Sequence, residues 1–171
     1  MTSQISVDET VDHVRGPASP HLILEYGDYE CPYSRAGYRE VQRAEESADF
    51  RFAFRHFPLT QIHPHALAAS AAVEAAALQG RFWEMHDLLF HRQKALGDDD
   101  LRGYAGELGL DLERFDGDWR SDAVLARIAR DVESGLGSGE VLGTPTFFID
   151  GVVYRGSYDA CALLEVLGAS A

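Results

Sequence analysis

Two cysteines occur in this 171-residue chain, Cys31 and Cys161, and the first stands where a reactive thiol would be expected. Cys31 belongs to the run Asp28-Tyr29-Glu30-Cys31-Pro32-Tyr33-Ser34, at the point where a strand-like apolar segment gives way to a helix-like one. Proline suits the first position of a helix, because the amide hydrogen it lacks would go unpaired there and its φ is preset. Cys31 is then expected at the cap, beside the unpaired amides of the first turn. There the helix dipole favours an anion by about 0.3–1 kcal/mol. Ser34, three residues on, is placed to donate a hydrogen bond back to the sulfur. Asp28 and Glu30 oppose a thiolate, but as surface charges they are expected to be screened. The net expectation is a nucleophilic thiol, set against a buried cysteine that serves only as a small hydrophobe. Neither the papain-type nor the caspase-type signature surrounds Cys31.

The elements that must hold this segment can be read from the patterning. Residues 1–20 read as an irregular lead-in ending in the breaker cluster Gly16-Pro17-Ala18-Ser19-Pro20. Leu22-Ile23-Leu24 opens an apolar run that reaches Tyr26 and stops at Gly27, a buried strand by length and flanks. Tyr33 to Ala48 reads as a helix with Val41 and Ala44 facing inward. Phe50, Phe52 and Phe54 then alternate with Arg51 and Arg55 at the period of a strand. Strand, helix and strand in close succession make a βαβ unit with parallel strands.

From residue 64 to 138 the chain turns rich in alanine and leucine. Helices are read over 66–79, 82–94 and 101–108, and Leu112 to Phe115 begins a short turn of helix. The last helix of this block carries Leu125, Ile128, Val132 and Leu136 as an amphipathic stripe. Phe82, Trp83, Met85, Leu88, Leu89 and Phe90 read as a packed helix face, and Asp98-Asp99-Asp100 as a helix start. Thr146–Ile149 and Val152–Tyr154 flank Asp150-Gly151, a strong two-residue hairpin turn. Ser157 reads as the cap of a final helix carrying Leu163, Leu164 and Leu167. The expected organisation is an α/β domain with one insertion: lead-in 1–20, βαβ half 21–63, helical block 64–138 and ββα half 139–171. Its mixed sheet would carry helices on both faces.

Apolar residues make up 46% of the chain and charged residues 25%, the proportions of a packed domain and not of a disordered segment. The net charge of −13 argues against a broad basic face for nucleic acid or anionic membrane. Two cysteines are too few for a disulfide framework or a four-thiolate zinc site. His63 and His65 straddle Pro64, and His86 and His91 are five apart, so neither pair shares the i, i+4 face of a helical metal site. No metal and no organic cofactor is expected. Residues 1–20 show no apolar run of signal-peptide length, and nothing approaches the roughly eighteen apolar residues of a spanning helix. These features read as a cytoplasmic protein without a membrane span, although a trimmed exported chain would read the same.

The turn Cys31-Pro32-Tyr33-Ser34 and the later Gly143-Thr144-Pro145-Thr146 resemble the thioredoxin superfamily, and its DsbA-like branch in particular. Phe54-Arg55-His56-Phe57-Pro58-Leu59, His63-Pro64-His65-Ala66 and Gly80-Arg81-Phe82-Trp83 resemble the same branch, including the domains fused to sodium/proton antiporters. The resemblance covers roughly residues 20–170. It implies a thioredoxin-like fold with the helical block as its insertion, and scaffold positions for His56, His63 and His65. It also implies that Cys31 is the nucleophile and that Pro145, after Thr144, is the cis-proline facing it. Pro32, Tyr33, Thr144 and Pro145 would meet an extended substrate by a form of strand addition. Without the Cys31 motif, Thr144-Pro145 would read as a trans proline opening an edge strand.

One departure matters more than these agreements. The family motif is Cys-x-x-Cys, and here the second cysteine is replaced by Ser34. Exchange runs through a mixed disulfide, which a dithiol enzyme clears with its own second thiol. This chain would need glutathione as co-substrate, a partner protein thiol, or Cys161 as resolving thiol. Cys161 is expected in the first turn of the last helix, with inward packing as the alternative. The expected activity is monothiol thiol–disulfide exchange on peptide or glutathione disulfides, with Cys31 and Ser34 at its centre. The competing class is a non-redox protein that binds glutathione or a polypeptide, similar to kappa-type transferases. Those families usually carry serine where this chain keeps Cys31, which favours exchange.

Overall fold

A computed structural model describes residues 4–169. Its elements in chain order are β1 (His13–Arg15), β2 (Leu22–Gly27), α1 (Pro32–Glu45), β3 (Arg51–His56), α2 (Ala66–Ala77), α3 (Phe82–His91), α4 (Asp98–Glu107), α5 (Leu112–Trp119), α6 (Asp122–Ser138), β4 (Thr146–Ile149), β5 (Val152–Tyr154) and α7 (Ala160–Val166). The five strands form one mixed sheet in the order β1-β3-β2-β4-β5, so the expected α/β class holds. β3 lies beside β2, as a βαβ unit requires. β2 pairs antiparallel with β4, with Glu25 opposite Phe147, and β4 pairs antiparallel with β5. Between them Asp150 and Gly151 both adopt positive φ (50° and 83°), the conformation a two-residue hairpin needs.

The chain divides into two compact units. One comprises Met1–Gly27, Pro32–Arg55 and Ser134–Ala171, and the other Asp28–Cys31 with His56–Glu133. The first contains the sheet, with Ile23, Tyr26, Val41, Phe54, Phe148 and Leu163 buried within it. The second is helical, and Val73, Met85, Leu89, Phe90, Leu101 and Phe115 are withdrawn from water there.

Three expectations are corrected. The lead-in is not irregular throughout, because β1 pairs antiparallel with β3, placing His13 opposite Phe54. A three-residue strand has little intrinsic stability, and an ion pair holds the chain beside it. Asp12, 6% exposed, receives Arg55 through Nε (3.0 Å) and Nη2 (2.7 Å), and Arg55 Nη1 donates to the Tyr26 hydroxyl at 2.8 Å. Arg55 is therefore buried, and the two-faced alternation read for β3 becomes burial of both faces.

The second correction concerns the stripe on α6. Leu125 and Leu136 are exposed, and the buried positions are Val124, Ile128, Asp131 and Gly135. Asp131 can face inward because its carboxylate accepts from the His56 amide at 3.0 Å and pairs with Arg127 at 2.5 Å. Third, the final helix is capped by Asp159, which accepts from the Ala162 amide, while the Ser157 hydroxyl donates to Asp159. α4 does begin at Asp98, with all three aspartates in its first turn.

Removing one partner of a buried ion pair strands the other charge. Asp12→Ala is therefore expected to destabilise the chain by about 3–5 kcal/mol. Urea unfolding followed by far-ultraviolet circular dichroism measures this. A loss below about 1 kcal/mol, the scale of a surface pair, would show that the pair does not anchor β1.

Candidate functional site

Cys31 is buried, at 3% exposure, and lies immediately before Pro32, the first residue of α1. The turn leading to it is fastened within the helical unit. Cys31 N donates to the Asp28 carbonyl at 3.1 Å, and Glu30 N donates to Asp28 Oδ1 at 2.8 Å. Asp28 Oδ2 also accepts from the Leu59 amide at 2.9 Å and lies 2.8 Å from His63 Nδ1. Asp28 is thus no screened surface charge, as its sequence setting suggested, but a carboxylate with no exposure at all. A buried carboxylate needs such donors, since desolvating it without them costs several kcal/mol. Glu30, half-buried, accepts from the His65 amide through Oε2 at 2.7 Å. The Tyr29 hydroxyl meets His86 Nδ1 at 2.8 Å, and the Tyr29 ring packs against Phe90 with centroids 4.9 Å apart. Gln93 Nε2 donates to the carbonyls of both Tyr29 and Cys31, each at 2.8 Å.

The remaining candidate residues lie in the sheet-bearing unit. Pro32 and Tyr33 are exposed, Tyr33 at 69%, while Ser34 is fully buried. The Thr144–Pro145 peptide bond is cis, and the Thr146 hydroxyl donates to the Gly143 carbonyl at 2.7 Å. This segment packs on α1 at Gly37, where a Cβ would stand 3.1 Å from the Phe147 ring and 3.4 Å from Pro145. Cys161 lies in the first turn of α7 and is exposed, against the alternative that it packs inward. No disulfide forms among the described residues, and no three metal-ligating side chains gather there. No helix among them is long and apolar enough to cross a membrane.

The same unit contains a titratable group that the sequence reading passed over. Glu25 in β2 has no exposure, and neither carboxyl oxygen has a hydrogen-bond partner among the described residues. A Cβ at Gly27 would stand 2.9 Å from Glu25 Oε1 and 2.5 Å from the Phe54 ring, so the glycine that ends β2 leaves room for the carboxyl. Burial pushes the Glu25 pKa up to about 8, against a smaller opposing effect of the Arg15 charge. Glu25 therefore keeps its proton at neutral pH. An acid inside the run Leu22-Ile23-Leu24-Glu25-Tyr26 was the available signal. Gln93 offered none, because its role depends on where the end of α3 meets the Cys31 turn.

Fold and site together describe a thioredoxin-like α/β protein with a cysteine leading into its first helix. Residues 22–168 match the DSBA-like thioredoxin domain family, and the chain belongs to that family. It is 48% identical over 163 residues to the Na(+)/H(+) antiporter NhaA 1 of Salinispora arenicola, covering 93% of this chain and 24% of that protein. Against the Na(+)/H(+) antiporter NhaA of Herminiimonas arsenicoxydans it is 47% identical over 173 residues, covering 99% and 27%. The chain thus spans about a quarter of the length of these curated relatives. Among solved structures, a thioredoxin-like oxidoreductase from Silicibacter pomeroyi superposes with a TM-score of 0.81 at 26% identity, covering 92% of this chain and 90% of that one. BdbD from Bacillus subtilis superposes at 0.79 over 98% and 95%, and at 19% identity that likeness is one of fold.

The raised pKa of Glu25 fixes the sign of a pH effect. The folded chain holds a proton that the unfolded chain releases near pH 4.5, so this stabilisation is complete below pH 4.5 and is lost as pH rises through 8. Stability should fall by up to about 1.4 kcal/mol per pH unit across that window. Glu25→Gln should flatten the fall, read as urea midpoints at pH 5, 6.5 and 8. Parallel curves for the two proteins would show that Glu25 is already ionised in the folded state.

Proposed function

We propose that this protein is a thiol–disulfide oxidoreductase that works through one nucleophilic cysteine, Cys31, on peptide or glutathione disulfides. The observation that carries the reading is the position of Cys31, directly ahead of a proline-led helix in a DSBA-like chain whose next motif position is Ser34. In the first step the Cys31 thiolate attacks one sulfur of a substrate disulfide. The Cys31–substrate S–S bond forms, the old S–S bond breaks, and the departing thiolate takes a proton from solvent. Ser34 cannot attack that mixed disulfide. A second thiol must do so, and glutathione, itself a thiol, supplies the electrons when a glutathionylated substrate is reduced. Its thiolate attacks the glutathionyl sulfur on Cys31, gives glutathione disulfide and regenerates the Cys31 thiolate. Electrons balance over the two steps, and neither a metal nor an organic cofactor is required.

Pro32, Tyr33, Thr144 and Pro145 are proposed to receive the substrate, and Cys161 to serve as the alternative resolving thiol. The exposure of Tyr33 and Cys161 supports those roles. A reducing compartment such as the cytoplasm would favour reduction over oxidation.

Incubation with glutathione disulfide and intact-mass spectrometry tests the reading. One glutathionyl adduct, mapped to Cys31, should form and be released by excess glutathione. Cys31→Ser should abolish both steps, and Cys161→Ser should leave the adduct at Cys31. An internal Cys31–Cys161 disulfide would instead make Cys161 the resolving thiol. Reversible glutathione binding that is indifferent to Cys31→Ser would replace exchange by the ligand-binding reading.

A further inference from the structure

We propose that Gln93 is a positioning residue for Cys31, using the two hydrogens of one side-chain amide to hold the carbonyls on either side of Glu30 and so to set the nucleophile's backbone. The inference rests on the proposed exchange chemistry and deepens it. Both bonds are 2.8 Å long and start from the same nitrogen, Nε2. Two carbonyl acceptors fix the amide's orientation, because only its nitrogen can donate to them.

The turn is thereby fastened from both sides. Its amides at Glu30 and Cys31 are taken by Asp28, and its carbonyls at Tyr29 and Cys31 by Gln93. Little backbone freedom remains between Asp28 and Cys31, so the direction of the Cys31 Cα–Cβ bond is set before substrate arrives.

Gln93 is itself held in place. It follows α3, whose His86 and Phe90 pack on the Tyr29 ring at centroid distances of 5.5 and 4.9 Å. Beyond it, Ala95 N donates to the Arg92 carbonyl, the Tyr104 hydroxyl donates to the Ala95 carbonyl at 2.7 Å, and Leu96 is buried. An amide on a segment pinned at both ends makes a fixed donor pair.

The donors also act electrostatically. The Cys31 carbonyl oxygen carries partial negative charge on the same residue as the sulfur, and a donated N–H offsets that charge. With the donors removed, the oxygen's field would oppose an anionic sulfur, and two half-enclosed carbonyls would each lose a donor.

The test compares wild type with Gln93→Met, which keeps the length and loses both donors, and Gln93→Lys, which keeps donors. Iodoacetamide alkylation of Cys31 is followed by peptide mass spectrometry from pH 5 to 10. Gln93→Met should alkylate about tenfold more slowly at pH 7, with its pH–rate profile displaced upward. Gln93→Lys should sit at the wild-type position or below it. A folded Gln93→Met with the wild-type profile, or a Gln93→Lys displaced as far upward as Met, would overturn the proposal. Should Gln93→Met fail to fold, Gln93→Glu takes its place: its carboxylate cannot donate, so an unmoved profile there would also overturn it. The same samples are treated with glutathione disulfide. If wild type forms no adduct at Cys31, the exchange reading fails by itself, and the alkylation profiles still decide the role of Gln93.

Discussion

The Asp28 carboxylate is the constraint on which the Cys31 turn depends. It is removed from water and would be costly there without compensation. Its compensation is made of amide hydrogens from Glu30 and Leu59, together with the imidazole of His63. Each donor is drawn from a different stretch of chain, so burying one acid ties the turn to the residues after β3 and to the approach to α2. The carboxylate acts here as a folding instruction more than as a charge. The Glu30 amide turns toward it, which points the Tyr29 carbonyl of the same peptide the other way, and both that carbonyl and that of Cys31 accept from Gln93.

Glu25 and Asp28 make an instructive contrast, because both are acids with no exposure, three residues apart. Asp28 lies where the chain has left the sheet and free amides are at hand. Glu25 lies inside β2, where the amides of the strand and its neighbours are committed to the ladder, and its side chain has no hydrogen-bond donor among the described residues. Donors, not burial, separate the two. Asp28 is met by amide hydrogens, whereas Glu25, which is not, keeps its proton at neutral pH.

What the sequence revealed divides along the same line. Local chemistry was legible: Asp150-Gly151 as a hairpin, Pro32 as a helix start, the aspartates at the head of α4, and the resemblance carried by the Cys31 and Pro145 segments. Each depends on neighbours within a few residues, where steric rules act directly. What depended on distant partners was hidden. β1 is three residues long, and its neighbour Asp12 is fixed by an arginine 43 positions away. The buried face of α6 runs through Asp131 because the His56 amide lies opposite, a fact that no periodicity of apolar residues contains. Asp28 and Glu30 looked like charges on a surface because nothing beside them announces Leu59, His63 or His65. The most informative misreadings are therefore acids whose compensating donors come from elsewhere in the chain.

Serine in place of the second motif cysteine changes the kinetics of the proposed exchange more than its first step. In a dithiol protein the resolving thiol is tethered beside the mixed disulfide, at an effective concentration that solution thiols rarely match. With Ser34 there, the lifetime of the intermediate on Cys31 passes to whatever thiol the surroundings provide. Under the proposed exchange, abundant glutathione would clear the adduct and let the protein turn over, and scarce glutathione would leave it as a reversible cap on its substrate. A turn held by Asp28 on one side and Gln93 on the other suits both regimes, because attack on the disulfide and attack on the adduct both require the Cys31 sulfur at a fixed direction. Rigidity at the nucleophile and dependence on an outside thiol are then complementary. In the proposed exchange the chain would supply the geometry, and glutathione, a partner thiol or Cys161 the second sulfur.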